Sequence, residues 1–211
     1  MNIAPFTVEI PQSAIADLNR RIDMTRWPEK ETVDDWSQGV PLAALQDFVA
    51  YWRHGYDWYA CQQMLNFWGM FETEIDGLMI RFIHVRSSHA GARPLLLTHG
   101  WPGSILEFRR CIAPLTEPEQ HGGSVQDAFH VVIPCLPGYG FSGKPVTKGW
   151  SVQKIAQGWG ELMKRLGYDR WLAQGGDWGS AVTTALGVLK VEGCAGIHLN
   201  MPIARPLPED M

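Results

Sequence analysis

No run of apolar residues approaches the ~20 that a transmembrane helix needs, so nothing in the sequence reads as a membrane span. The N-terminus, Met1-Asn2-Ile3-Ala4-Pro5-Phe6, lacks the basic start and the long apolar stretch of a secretory leader. Positive charge is not in excess: 18 Lys+Arg stand against 22 Asp+Glu, for a net charge of −4. That balance argues against nucleic acid or an anionic membrane surface as a partner. Cysteine is scarce, and Cys61, Cys111, Cys135 and Cys194 form no CxxC pair. Such spacing suits free thiols in a reducing compartment, hence a cytoplasmic protein, better than a disulfide framework or a metal site.

What is present is ordinary globular material. The 211 residues are 45% hydrophobic and 19% charged, enough chain for one good core or two small ones. Ten tryptophans is a high count. Large aromatics bury much area, and they also line apolar ligand sites.

Residues 1 to 69 read as a helical region. Ile15, Leu18 and Ile22 recur at helical spacing within Ser13 to Met24. A second helix is expected over Pro41 to Gly55, with Leu45, Phe48, Val49 and Trp52 inward, and a third over Trp58 to Trp68. From Phe71 the period changes. Asp76-Gly77 is a hairpin signal between two strands, Phe71 to Ile75 and Leu78 to Val85. Strands are then expected at Pro94 to Thr98, Phe129 to Pro134, Trp171 to Gln174 and Ala195 to Asn200. Helices are expected at Ser104 to Ile112, Ser151 to Leu166 and Trp178 to Val191. This alternation over 70–211 predicts an α/β fold: a mostly parallel sheet of about six strands, with helices on both faces. Pro202, Pro206 and Pro208 read as an exit loop.

The chemistry concentrates in Gly175-Gly176-Asp177-Trp178-Gly179. Small residues flank a central acid where an apolar strand end, Leu172 to Gln174, meets an Ala/Leu-rich helix. This is the pattern of a nucleophile elbow, with aspartate where an esterase has serine. The turn is so sharp that side chains on its flanks would clash. A carboxylate seated there can displace at a saturated carbon and leave an ester on the protein. The plainer alternative is a tight turn with Asp177 as a helix cap.

A second loop, His99-Gly100-Trp101-Pro102-Gly103-Ser104, follows the apolar strand Leu95-Leu96-Leu97. It can aim backbone N–H groups at a reacting oxygen, and Pro102 can hold a cis bond. Such a loop followed by an elbow is the α/β-hydrolase arrangement. Gly138-Tyr139-Gly140-Phe141-Ser142-Gly143 matches GxGxxG, but Pro137 precedes it and Lys144-Pro145 follows, so it opens no helix. It reads as a loop packing beside the site, with Tyr139 shaping it, and not as a dinucleotide cradle. No cofactor is expected.

A hydrolytic base follows the nucleophile in this fold, and only His198 does so. It sits in Ile197-His198-Leu199 and reads as a packed structural histidine. His99 reads as a residue that holds the oxyanion loop in place. Glu192, Glu209 and Asp210 are the acids after Asp177, each expected at the surface or the terminus.

Together these residues give the chain a clear resemblance to the microsomal-type epoxide hydrolases of the α/β-hydrolase superfamily. The N-terminal block carries much of it: Phe6-Thr7-Val8-Glu9-Ile10-Pro11, Thr25-Arg26-Trp27-Pro28 and Tyr51-Trp52-Arg53-His54-Gly55-Tyr56-Asp57-Trp58. His99 to Ser104, Pro137 to Ser142 and Gly176 to Gly179 continue it. The resemblance implies that Asp177 opens a small apolar epoxide to an alkyl ester. It implies that the N–H groups of Trp101 and Trp178 form the oxyanion hole, with His99, Gly100, Pro102 and Tyr139 shaping the site. A histidine-activated water then releases a diol.

In that family a lid domain with paired tyrosines follows, and later segments supply the acid and the base histidine. This sequence reaches Met211 about where such a lid begins. Little or no turnover is therefore expected from the chain by itself, and an unpaired sheet edge with an uncovered apolar face is expected to favour self-association. Two alternatives share the data. One is a haloalkane dehalogenase-like hydrolase, which uses the same Asp-Trp elbow without the N-terminal block. The other is a non-catalytic remnant that binds a partner.

Overall fold

A computed structural model describes residues 3–203; the loop expected around Pro206 and Pro208, with Glu209 and Asp210, lies outside them. The described chain opens with a short strand, β1 (Ala4–Phe6), inside the region expected to be helical. Three helices follow: α1 (Gln12–Asp23), α2 (Leu42–His54) and α3 (Trp58–Trp68). Then come β2 (Met70–Ile75), β3 (Leu78–Val85), β4 (Arg93–Thr98), α4 (Ile112–Thr116), β5 (Phe129–Pro134), α5 (Val152–Arg165), β6 (Trp171–Gly175), α6 (Trp178–Val188) and β7 (Cys194–Leu199). Contacts divide the chain into two compact units, residues 8–67 and the remainder.

In the 8–67 unit, side chains of α3 pin the extended segment before α1. Asn66 accepts from the Val8 N–H at 2.7 Å and donates to the Val8 carbonyl at 2.9 Å. Gln62 accepts from the Ile10 N–H at 2.7 Å. A two-pronged pair between Arg53 and Asp23, at 2.8 and 3.0 Å, links α2 to the end of α1. Ile15, Leu18 and Ile22 are half-buried, as the spacing of α1 predicts. On α2, Val49 and Trp52 are half-buried, but Leu45 and Phe48 are exposed, not inward. Those two lie on one flank of the helix, and so short a unit has too little chain to bury both flanks.

The second unit is built on one sheet of seven strands, in the order β1-β2-β3-β5-β4-β6-β7. It is less parallel than the sequence suggested. The β1–β2, β2–β3 and β3–β5 pairs are antiparallel; β4–β5, β4–β6 and β6–β7 are parallel. The reason is connection length. Asp76 and Gly77, with φ of 48° and 78°, turn β2 directly back into β3, and only the later strands are joined by helical crossovers that restore direction.

Helices α5 and α6 cover one face. Trp159, Leu162, Met163, Val182 and Leu186 pack with Ile80, Phe82, Leu96, Val132 and Ala173 in a continuous core. The Ser151 side chain caps α5 by accepting from the Lys154 N–H. The helix expected at Ser104 to Ile112 is instead a 3-10 turn at Ile105–Phe108, followed by α4. A continuous helix through both would force the ring of Pro114 against the carbonyl four residues back, whereas the first turn of α4 tolerates it.

Tyr168, at the edge of this core, stands between two histidines. His84 Nε2 lies 2.8 Å from the Tyr168 hydroxyl, and the His130 ring stacks on the Tyr168 ring. Burial first, then Arg86 and His130, push His84 down to about 4. Burial also lowers His130. Both histidines are depressed in the folded state, so the unfolded chain binds more protons below the ordinary value of 6.5. Their contribution is complete above 6.5 and is lost as pH falls from 6.5 toward 4. Thermal midpoints measured across that window should drop, and His84→Gln should flatten the drop, by no more than about 3 kcal/mol. A wild-type and variant pair with parallel profiles would contradict this.

Candidate active site

Three loops leave the C-terminal ends of the adjacent strands β5, β4 and β6, where ligands bind in open α/β sheets. Register brings two of them together: Thr98, the last residue of β4, pairs with Gly175, the last of β6. The next residues on each side are the oxyanion-loop candidates and the elbow.

The elbow requires its glycines. A methyl group on Gly175 would overlap the Gly179 carbonyl, and one on Gly179 would overlap the carbonyl of Thr98. One on Gly176 would strike the Asn200 side chain. Asp177 itself has φ 53° and ψ −127°, a conformation that costs an L-residue roughly 1–3 kcal/mol. Its side chain makes no cap bond to α6, which removes the helix-cap alternative.

The carboxylate turns instead to the neighbouring loop. The Trp101 N–H donates to Asp177 Oδ1 at 2.6 Å. Gly100 permits this approach, since a methyl group there would lie 2.5 Å from the same oxygen. The Trp101 N–H, then the Trp178 N–H, hold the Asp177 carboxyl below its ordinary value of 3.8. Asp177 is therefore an ionised, solvent-facing carboxylate with one oxygen held, flanked by the exposed indoles of Trp101 and Trp178.

His99 is 1% exposed and has both ring nitrogens engaged. Nε2 accepts from the Leu136 N–H at 3.1 Å, and Nδ1 lies 3.0 Å from the Gly100 carbonyl. An N–H must meet Nε2 as an acceptor and a carbonyl must meet Nδ1 as a donor, so the ring is neutral with its proton on Nδ1. Burial lowers its pKa and keeps it so. His99 thus ties the loop after β4 to the loop after β5, and it has no free nitrogen with which to act as a base. The Trp101–Pro102 peptide is cis. Tyr139 packs edge-on against His99, with ring centres 5.6 Å apart.

Four of the six N–H groups in the GxGxxG stretch are used by its own turns and by β3, which leaves little for a pyrophosphate. Gly138 donates to Gly143, Tyr139 to Leu136, Ser142 to Tyr139 and Gly143 to Met79. The Ser142 hydroxyl bridges Cys135 and Arg81.

His198 is exposed and not packed. Its strand, β7, is an edge strand among the described residues, and its side chain falls on the face opposite α5 and α6 with Leu95, Leu97 and Leu172. No described histidine hydrogen-bonds Asp177. The sequence also concealed the contributions of the Leu136 N–H and of Asn200; neither residue type signals the role, which depends on what the fold places opposite it.

A family model described as the epoxide hydrolase N terminus matches residues 3–108, and one described as the alpha/beta hydrolase fold matches 93–211. A relative from Stigmatella aurantiaca, whose name places it among the epoxide hydrolases, is 58% identical over 97% of this chain and 46% of its own length. Epoxide hydrolase 1 of Oryctolagus cuniculus is 39% identical over 96% of this chain and 45% of its own. The solved structure of Aspergillus niger epoxide hydrolase superposes with a TM-score of 0.84 at 32% identity, over 100% of this chain and 56% of that one. The chain spans about half the length of the curated relatives it matches.

Proposed function

Since the chain belongs to the epoxide hydrolase family, on the α/β-hydrolase fold, we propose that Asp177 attacks an epoxide carbon and forms an alkyl ester on the protein. The observation that carries this is the exposed, strained Asp177 carboxylate held at Oδ1 by the Trp101 N–H. The held oxygen orients the group, and Oδ2 is the attacking atom. As its bond to carbon forms, the epoxide C–O bond breaks, and the released oxygen takes a proton from water to become a hydroxyl. In the second step a hydroxide-like water adds to the ester carbonyl. The Trp101 and Trp178 N–H groups then stabilise the charge that builds on the Asp177 oxygen.

That second step needs a base, which ordinarily contributes ~10²–10⁴ in rate. His99 has no free nitrogen to supply it. The chain by itself should therefore complete the first step and accumulate the ester, with little diol. Intact-protein mass spectrometry after incubation with a terminal epoxide should show one adduct, mapped to the peptide that carries Asp177. An unmodified protein, or a burst-free stream of diol, would count against this division of labour.

We place the protein in the cytoplasm, in keeping with its four free cysteines. No described helix is long and apolar enough to cross a membrane. The residues of 1–69 act as the family's N-terminal region and those of 70–211 as the hydrolase core.

We also propose self-association through the β7 side of the sheet. Beside β7 runs a groove of about 720 Å³ lined by Leu95, Leu97, Phe108, Leu115, Leu172 and Ile197. Ile197, on the edge strand itself, is exposed. A second copy could cover that apolar surface. Sedimentation velocity should show a dimer that dissociates on dilution, and Leu115→Lys, in the groove lining, should shift it to monomer. Wild-type protein that is monomeric at every concentration would refute the association.

A further inference from the structure

Strand β4 carries the oxyanion loop at its C-terminal end. Beyond its N-terminal end, two loops bring three metal-ligating side chains together. His89 lies between β3 and β4, and Glu117 and Glu119 flank Pro118 just after α4. His89 Nε2 stands 2.9 and 3.0 Å from the two Glu119 oxygens and 3.7 Å from Glu117 Oε2. One ligand atom from each of the three lies within 4.8 Å of the other two. The imidazole reaches Glu119 across 30 residues of sequence, so the fold, and no local motif, assembles the group.

The geometry suits a small divalent ion. Zn²⁺ holds a histidine nitrogen at about 2.0–2.1 Å and a carboxylate oxygen at about 2.0–2.2 Å, so two such ligands at tetrahedral angles stand about 3.3 Å apart. The separations of 2.9 and 3.7 Å bracket that value. The donors are also held in place. Ser88 donates to both oxygens of Glu117, from its N–H at 3.2 Å and its hydroxyl at 3.0 Å. The His89 N–H donates to the Ser87 hydroxyl at 3.1 Å. Buried Pro118 fixes the backbone between the two acids. Among the described residues, neither Glu117 nor Glu119 forms an ion pair with a lysine or arginine; His89 is the partner of both. Two adjoining carboxylates thus share one titratable imidazole, and a protonated ring balances only one of them, whereas a divalent ion balances both.

We propose that His89 Nε2, Glu117 and Glu119 bind one divalent transition-metal ion, Zn²⁺ foremost, and that the ion clamps the loop between β3 and β4 to the turn after α4. Water completes the coordination. The imidazole nitrogen selects Zn²⁺ over Mg²⁺, which takes oxygen ligands and keeps several of its waters. Binding displaces the proton from Nε2: a neutral ring carries it on Nδ1 instead, and a charged ring releases one to solvent. The length of β4 separates the ion from Asp177, so its role is structural and it takes no part in attack by the carboxylate.

Titration calorimetry of the 211-residue chain, stripped with chelator, against ZnCl₂ tests the site. One ion should bind with a Kd on the order of 10 µM or tighter, and Mg²⁺ in large excess should not displace it. His89→Gln and Glu119→Gln should each weaken binding by at least roughly tenfold, while circular dichroism remains native. Cys111→Ser and His121→Gln remove an exposed thiol and the exposed histidine two residues beyond Glu119, and should leave the affinity unchanged. Zn²⁺ at about 100 times its Kd should raise the thermal midpoint by roughly 5 °C or more, reversibly with EDTA, and His89→Gln should abolish the rise. No binding, or binding that both His89→Gln and Glu119→Gln leave intact, would overturn the assignment. Binding lost on Cys111→Ser or His121→Gln would overturn it as well, since it would place the ion elsewhere.

Discussion

Asp177→Asn should abolish the covalent adduct, lowering alkylation by on the order of 10⁴-fold or more. An amide oxygen is a poor nucleophile toward a saturated carbon, whereas the wild-type carboxylate is ionised at every ordinary pH. The substitution is also the mildest available. Asparagine keeps an oxygen to accept the 2.6 Å bond from the Trp101 N–H, and it tolerates positive φ better than most residues. Loss of the adduct with an unchanged melting temperature would thus isolate the chemistry.

The pH dependence follows from the same contacts. Two backbone N–H groups hold the carboxyl below 3.8, so the charged form dominates throughout the neutral range. Alkylation should stay flat as pH falls through 6 and 5, and should decline only below the ordinary aspartate value. This is the reverse of what a reaction needing a neutral histidine would show. Adduct formation that persisted in Asp177→Asn, or that followed a titration near 6.5, would shift the attack to another residue.

Gly179→Ala should cost the fold roughly 3 kcal/mol or more, measured by urea denaturation. The new methyl group would overlap the carbonyl of Thr98, which lies in the middle of the sheet and has no flexible side chain to yield. Strand β4 and helix α6 would have to separate, and separation would also pull Trp101 from Asp177. Gly175→Ala should behave alike, because its methyl group meets the Gly179 carbonyl. Gly91→Ala is the control: nothing lies within 4 Å of the added carbon and no positive φ is required. It should be neutral or slightly stabilising, by a few tenths of a kcal/mol. Equal midpoints for Gly179→Ala and Gly91→Ala would show that the elbow is looser than this geometry.

Much of the site was legible because it rests on local backbone chemistry. The glycines around Asp177 mark a turn too tight for side chains, and such a constraint is written into consecutive residues. The same holds for Asp76-Gly77, which announces its hairpin, and for Ser151, which announces α5. Where local signals compete with distant ones, the sequence was less clear. Ala4–Phe6 carries no strand pattern of its own and becomes a strand because β2 offers it an edge. His198 looks like a core residue from its apolar neighbours, yet β7 lies at the rim of the sheet and leaves it exposed. Pro114 lies just past the helix expected at Ser104 to Ile112; it sits within α4, and the helical path breaks before it, at residues 109–111.

By itself the sequence determined the α/β class, the elbow pattern around Asp177 and the family. Each follows from residues adjacent along the chain, where steric limits on backbone turns act directly. Only the tertiary structure decided that Asp177 points at the Trp101 N–H and does not cap α6, and that His99 is locked neutral between two loops. Those outcomes depend on β4, β5 and β6 ending side by side. Strand register brings together groups 37 to 76 residues apart in sequence, and local pattern carries no record of that proximity.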